Sequence, residues 1–168
     1  MMTPASGEDL ATMAEQLGRP MRDVVGVAAR CVCGRPTVVA TKPRLADGTP
    51  FPTFYYLTHP AATAAASRLE AAGRMVDYAE RLTGDVAAAY ARAHEAYLAD
   101  RLEHGEVPEI DGVSAGGMPT RVKCLHALIG HALAAGPGVN PIGDLALADC
   151  GWSPDRCECA PSRQAVAE

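Results

Sequence analysis

No run of about eighteen apolar residues occurs in this 168-residue chain, which excludes an apolar helix long enough to span a bilayer. The start, Met1-Met2-Thr3-Pro4, lacks the basic residues and apolar stretch of a signal peptide, so a cytoplasmic location is expected. Positive charge is short as well. Fifteen Lys and Arg stand against twenty Asp and Glu, for a net charge of −5, and phosphate-backbone binding needs clustered excess of the opposite sign. No nucleic-acid partner and no membrane insertion are expected. Lysine is nearly missing, at two against thirteen arginines; in so alanine-rich a chain this reads as codon bias rather than phosphate recognition. Also missing are a Walker loop, a dinucleotide fingerprint, a Ser-His-Asp order and paired carboxylates on one helix face, so no named reaction follows.

What is present is enough apolar content, 48%, for one domain with a real core, read as residues 1–149, followed by a cysteine-containing tail over 150–168. Six cysteines are the chemical signal. Reducing compartments disfavour structural disulfides, so such a set binds metal or reacts, unless each is simply a small buried hydrophobe.

Along the chain, Ser6 followed three residues later by Asp9 resembles a capping box ahead of Leu10, Met13, Ala14 and Leu17 at helical spacing, and Gly18 and Pro20 end that helix. β-branched runs at 24–29 and 36–41 flank Cys31-Val32-Cys33-Gly34, the composition of two strands and a tight turn. A third strand is read at 51–58, with Pro50 and Pro52 confined to its start or to an edge. From Pro60 onward the pattern is helical. Thr58 or His59 caps a helix closing at Gly73, a second runs over 75–82, and Asp85 caps the longest, whose stripe Val86, Tyr90, Ala93 and Tyr97 is core. His94 and His104 read as surface histidines, and Arg92, Glu95 and Arg101 as a solvated face. The expected fold is α+β, a small antiparallel sheet over 24–58 packed against a mostly helical remainder. The glycine-rich link 105–118 is the one loop long enough to suspect of function.

The stretch 114–144 organises the chain. Its glycine-rich start leads to Pro119 at a first helical position, then through Cys124, His126 and His131 to Gly136 and Pro137, which end the helix. On a regular helix Cys124 and His126 face opposite ways, and Cys124 and His131 stand roughly 10.5 Å apart, so Cys124 is the ligand and His131 a satisfied core histidine. Arg121 and Lys123 beside an early-turn Cys124 favour a thiolate. The same loop, through Ser114, Gly116, Gly117, Arg121 and Lys123, is read as an anion site suited to a phosphate-bearing ligand; the competing reading is that the glycines only permit close packing. A Cys-x-Cys turn is weak metal evidence, but Cys157-Glu158-Cys159 repeats the spacing, and two such pairs make a four-thiolate site unless the tail thiols are idle. Cys150 is a further thiol, and Glu109 and Asp144 are acid or base candidates that nothing places near the cysteines.

In order along the chain, RCVCGRP, FPTFYYLTHP, SAGGMP, RVKCLH and NPIG resemble an uncharacterised bacterial family, domain of unknown function five hundred and one, over about residues 18–144. Some members of that family carry LTCP where this chain has Leu57-Thr58-His59-Pro60, and one cysteine rather than two before the glycine. The resemblance therefore implies that His59 stands in place of a soft ligand, alongside Cys31 and Cys124. Cys33 and the terminal pair depart from the family pattern. The resemblance further implies, through gene neighbourhood alone, a septum-formation protein or an exopolyphosphatase-like enzyme as partner, and so a link to cell division or phosphate metabolism.

These readings give a Cys/His metal site on which Cys31, His59 and Cys124 converge, closed by Cys33, His126, Cys157 or Cys159. Zinc is favoured over an iron-sulfur cluster because histidine is unusual in the latter. The function class expected is a binding or regulatory protein whose metal is structural or redox-sensing. The other class is a metal- or thiolate-dependent enzyme acting on an anionic substrate.

Overall fold

A computed structural model describes residues 1–159 of the chain; residues 160–168 of the expected tail lie outside the described residues. Three strands, β1 (Val24–Arg30), β2 (Pro36–Thr41) and β3 (Tyr55–Leu57), form an antiparallel sheet in the order β1-β2-β3. The central strand β2 is buried at every position. Its alternation decides what each face meets, because successive side chains on a strand point to opposite sides. Val38 and Ala40 enter the main core, while Val39 joins Met13 and Val27 in a smaller cluster beneath the first helix, α1 (Gly7–Leu17).

That first helix begins as the sequence predicts. The Ser6 hydroxyl accepts from the Asp9 amide at 3.1 Å and Asp9 Oδ2 accepts from the Ser6 amide at 2.9 Å. Asp9 has a second task. Its carboxylate takes both arms of Arg30, at 2.7 and 3.0 Å, tying α1 to the end of β1. The Arg30 hydrogen bonds, above all other contributions, hold the Asp9 carboxyl well below the usual carboxylate range.

The third strand is shorter than the run 51–58 predicts. The first half of that run is spent on a turn: Phe51 N–H donates to the Pro43 carbonyl and the Phe54 amide to the Tyr97 hydroxyl, leaving only residues 55–57 for the ladder.

Helices α2 (Pro60–Ala71), α3 (Arg74–Glu80), α4 (Gly84–Leu102), α5 (Leu125–Ala135) and α6 (Pro141–Asp149) follow, with a 3-10 turn at Pro108–Ile110. His59 caps α2 with Pro60 first in the helix. On α4, Tyr90, Ala93 and Tyr97 are fully buried, as their spacing predicts. Thr83, not Asp85, precedes that helix; Asp85 sits in its first turn, where a negative charge suits the helix dipole.

Two α4 residues depart from the expected polar face. Arg101 is buried, and its guanidinium donates to the carbonyls of Pro52, Ile110 and Val113 at 2.6 to 3.1 Å, pinning the loop that runs on from the helix. His94 is buried rather than on the surface, with Nδ1 2.8 Å from the Ser114 hydroxyl. His104 is half-buried and stacks on Phe54.

The helix expected from Pro119 starts six residues later. Gly116 O accepts from the Lys123 amide at 2.7 Å and Gly117 O from the Arg121 amide at 2.8 Å, so the glycine loop closes on itself before α5 begins. A Cβ on Gly117 would stand 2.6 Å from Arg121 O, and one on Gly116 would run into the Leu128 side chain at 2.5 Å. Both glycines also have positive φ, which L side chains rarely adopt. Close approach is thus the reason glycine stands there. Helix α5 packs chiefly on β3 and α6, and Gly143 brings α6 against it. Beyond α6 the chain turns back: Cys150 and Trp152 join the main core, and the Val32 amide donates to Pro154 O at 2.8 Å.

Candidate metal centre

Cys31 directly follows β1, and the turn it opens is closed by Cys31 N–H to Arg35 O and Gly34 N–H to Cys31 O, both 2.8 Å. Gly34, at φ 89°, supplies the left-handed residue that the turn requires. The bond from Val32 to Pro154 draws the segment 154–159 alongside this turn. Four sulfurs meet as a result. The Sγ atoms of Cys31, Cys33, Cys157 and Cys159 all lie within 4.8 Å of one another, with Cys33 and Cys159 at 3.5 Å. Around one tetrahedral ion with metal–sulfur bonds of about 2.3 Å, sulfurs stand about 3.8 Å apart, so the four are spaced to close on a single ion.

The thiols are unlike one another. Burial pushes the Cys31 thiol up. Burial also opposes ionisation of Cys33, but the Arg35 amide and the neighbouring Cys159 and Cys157 outweigh it and bring Cys33 down to about 7. Cys159 is pushed up by burial and then by the sulfurs around it. Without a cation, Cys31 and Cys159 are held protonated while Cys33 ionises more readily; a divalent ion would favour the thiolate form of all its ligands.

His59 is buried and reaches this cluster from the start of α2, with Nε2 3.1 Å from Cys159 Sγ. Its Nδ1 accepts from the Ala62 amide at 3.4 Å. A neutral ring whose Nδ1 accepts carries its proton on Nε2, and so donates to the Cys159 sulfur. Burial lowers the His59 pKa and keeps the ring neutral. His59 is not one of the four mutually close ligands; it supports one of them from outside, as a hydrogen-bonding partner of a ligand does.

The expected convergence of Cys31, His59 and Cys124 on one site does not occur. Cys31 leaves an edge strand, whereas α5 packs chiefly on the opposite edge, β3, and Cys124 falls in a second group with His126 and Glu70. Cys124 precedes α5 in an extended conformation, φ −149° and ψ 109°, instead of lying inside the helix. The opposed faces of a regular helix therefore do not apply, and Cys124 and His126 come together. Glu70, from α2, accepts from the Leu125 amide at 2.7 Å and sits 3.1 Å from His126 Nδ1, while Ser67 Oγ is 3.1 Å from His126 Nε2.

Of the residues read as an anion site, Ser114 is buried with its hydroxyl on His94, and Gly116 and Gly117 lend their carbonyls to the loop. Arg121 and Lys123 are exposed, on the turn preceding α5. The helix end that was to complete the site lies beyond them, at Leu125. His131 is buried, with Nδ1 3.1 Å from the Asn140 amide, stacked on Tyr55 and edge-on to Tyr97. Glu109 pairs with Arg44 at 2.6 Å, and Asp144 accepts from the Gly138 amide. Glu70 and Ser67 carried no motif in the sequence; only the packing of α2 on α5 reveals them.

The class these observations define is a small α+β protein with a four-cysteine cluster able to hold a metal ion. The chain belongs to the family described as protein of unknown function, DUF501, whose model matches residues 27–148. Glu70, Cys124 and His126 lie inside that match together with Cys31 and Cys33, while Cys157 and Cys159 lie beyond it. Comparison with curated proteins and with solved structures finds no match.

Proposed function

We propose that the protein is a small cytoplasmic binding or regulatory protein whose turn 31–33 and segment 157–159 are clamped together by one zinc ion. The observation that carries this reading is the mutual approach of four sulfurs within 4.8 Å. The spacing suits a single ion. A polynuclear iron-sulfur cluster spreads its cysteines further, because several irons and inorganic sulfides stand between them. Four thiolates leave no open coordination position, which suits a structural ion and not a hydrolytic one. Cys33 and Cys157 are exposed, so an oxidant reaches the thiolates and releases the ion, giving the clamp a redox-sensitive character. The resemblance directs the search for a partner to a septum-formation protein or an exopolyphosphatase-like enzyme.

Metal analysis and an absorption spectrum of anaerobically purified protein test the reading. About one zinc per chain is expected, lost in a Cys33→Ser, Cys159→Ser double variant and retained in Cys124→Ser. Visible thiolate-to-iron absorbance reassigns the metal, and wild-type protein without stoichiometric metal overturns the clamp.

A further inference from the structure

Cys124 has surroundings that the clamp does not use. It caps α5 from an extended backbone, with the His126 ring beside it and Glu70 beyond, and the two ring nitrogens of His126 are each 3.1 Å from an oxygen, Glu70 Oε1 and Ser67 Oγ. Glu70, a carboxylate, accepts from Nδ1, and a ring that is also protonated on Nε2, with Ser67 as acceptor there, is an imidazolium. Glu70 is fixed in turn by the Leu125 amide. Cys124 and His126 also line a cleft of about 300 Å³ whose other walls include Leu17, Tyr55, Tyr56, Leu57 and Ala127. No Lys, Arg, Asp or Glu lines it. Its size falls at the small end of pockets that take small molecules, and its walls suit a carbon chain, not a phosphate.

We propose that Cys124 is a nucleophilic thiolate, paired with His126 and positioned with it by Glu70, that accepts an acyl group with an apolar chain from an activated ester or thioester. The sulfur attacks the carbonyl carbon, an S–C bond forms, and the bond from that carbon to the leaving oxygen or sulfur breaks. The leaving group departs with the electron pair and takes a proton from the His126 imidazolium. A neutral thioester, a neutral imidazole and a protonated leaving group result, so charge and atoms balance without a further reagent. His126 raises the tendency of Cys124 to ionise against the opposing effect of burial, and Cys124, then Glu70, lift His126 to about 9. This inference stands apart from the zinc clamp and uses none of its four cysteines. The competing use of Glu70, Cys124 and His126 is as three metal ligands.

The test treats the full chain with p-nitrophenyl acetate and p-nitrophenyl octanoate, with and without added zinc, and maps the acylated cysteine by peptide mass. Expected is one octanoyl group per chain on Cys124, formed about tenfold or more faster than the acetyl adduct, since each buried methylene favours the longer chain by roughly threefold to fourfold at most. The Cys124→Ser variant gives no adduct on that peptide, and His126→Gln slows octanoylation about a hundredfold. Because the wild-type adduct map and chain-length ratio are read without any variant, misfolding of a variant does not decide the outcome. An adduct confined to Cys33 or Cys157, equal rates for the two esters, or acylation of Cys124 that requires added zinc overturns the proposal. The last of these transfers the site to metal chemistry.

Discussion

The two cysteine-bearing regions are built by opposite means. At the sheet end, sulfurs from residues 126 positions apart meet on a partly exposed surface, brought there by a turn, one backbone hydrogen bond and the Asp9–Arg30 pair beneath. At the start of α5, a single thiol rests on a helix that is buried over most of its length and seated on β3 and α6 by close backbone contacts. Thiols clustered together suit a cation that all of them can share. A thiol set beside an imidazole and a carboxylate, on a rigid dry support, suits a reaction at one sulfur. Convergence matters in the first region and rigidity in the second.

That contrast is most severely tested at Gly143. A methyl group there would lie against the Leu128 carbonyl and 2.7 Å from Ala132 Cβ, so Gly143→Ala forces α6 off α5 and is expected to cost about 3 kcal/mol in urea denaturation. Cys124 acylation should fall with it while the zinc content of the folded fraction holds. A cost below about 1 kcal/mol would mean that the α5 seat is not the rigid half of the molecule.

Acid sharpens the same comparison. His131 lies in the α5 core and burial lowers its pKa to about 4, below the unfolded value of about 6.5. Between those values the unfolded chain binds more protons than the folded one, so this contribution is intact above about pH 6.5 and is lost as the pH falls towards 4. The full loss is about 3 kcal/mol, read as the slope of unfolding free energy against pH in a chelated sample, where the clamp thiolates contribute no ion-dependent proton release. His131→Phe should flatten that slope, and an unchanged slope would place the acid sensitivity elsewhere.

The smallest effect belongs to the sheet end. Arg30→Ala leaves the buried Asp9 carboxylate without its partner and removes the tie to the turn carbonyl at Gly34, for an expected loss of about 2 kcal/mol. Zinc affinity should weaken and Cys124 chemistry stay as it is. The reverse pattern would couple the two regions.

Much of this was legible in the residues. The strands, the Ser6–Asp9 box, Pro60 and the α4 stripe follow from local pattern, and the repeated Cys-x-Cys spacing pointed to the four thiols that the fold brings together. The rest depended on contacts between distant segments. His94 and Arg101 look like surface residues because their partners, Ser114 and the carbonyls of Pro52, Ile110 and Val113, lie in loops with no periodicity to read. The pairing of Cys124 with His126 was hidden because residue 124 was placed within a helix, whereas it stands just outside one.

The hydrogen bond from Val32 to Pro154 also sets an order of events in time. Cys157 and Cys159 follow every strand and helix of the described chain, so a ribosome delivers them after all of those elements. At about 5 to 20 residues per second, Cys33 waits roughly 6 to 25 seconds for Cys159 to be made. During that interval the turn offers an ion two sulfurs instead of four. A chain interrupted before Cys157 keeps the residues of the sheet and of the six described α-helices yet holds only two of the four sulfurs, so the ability to hold an ion there would report whether synthesis had passed Cys159.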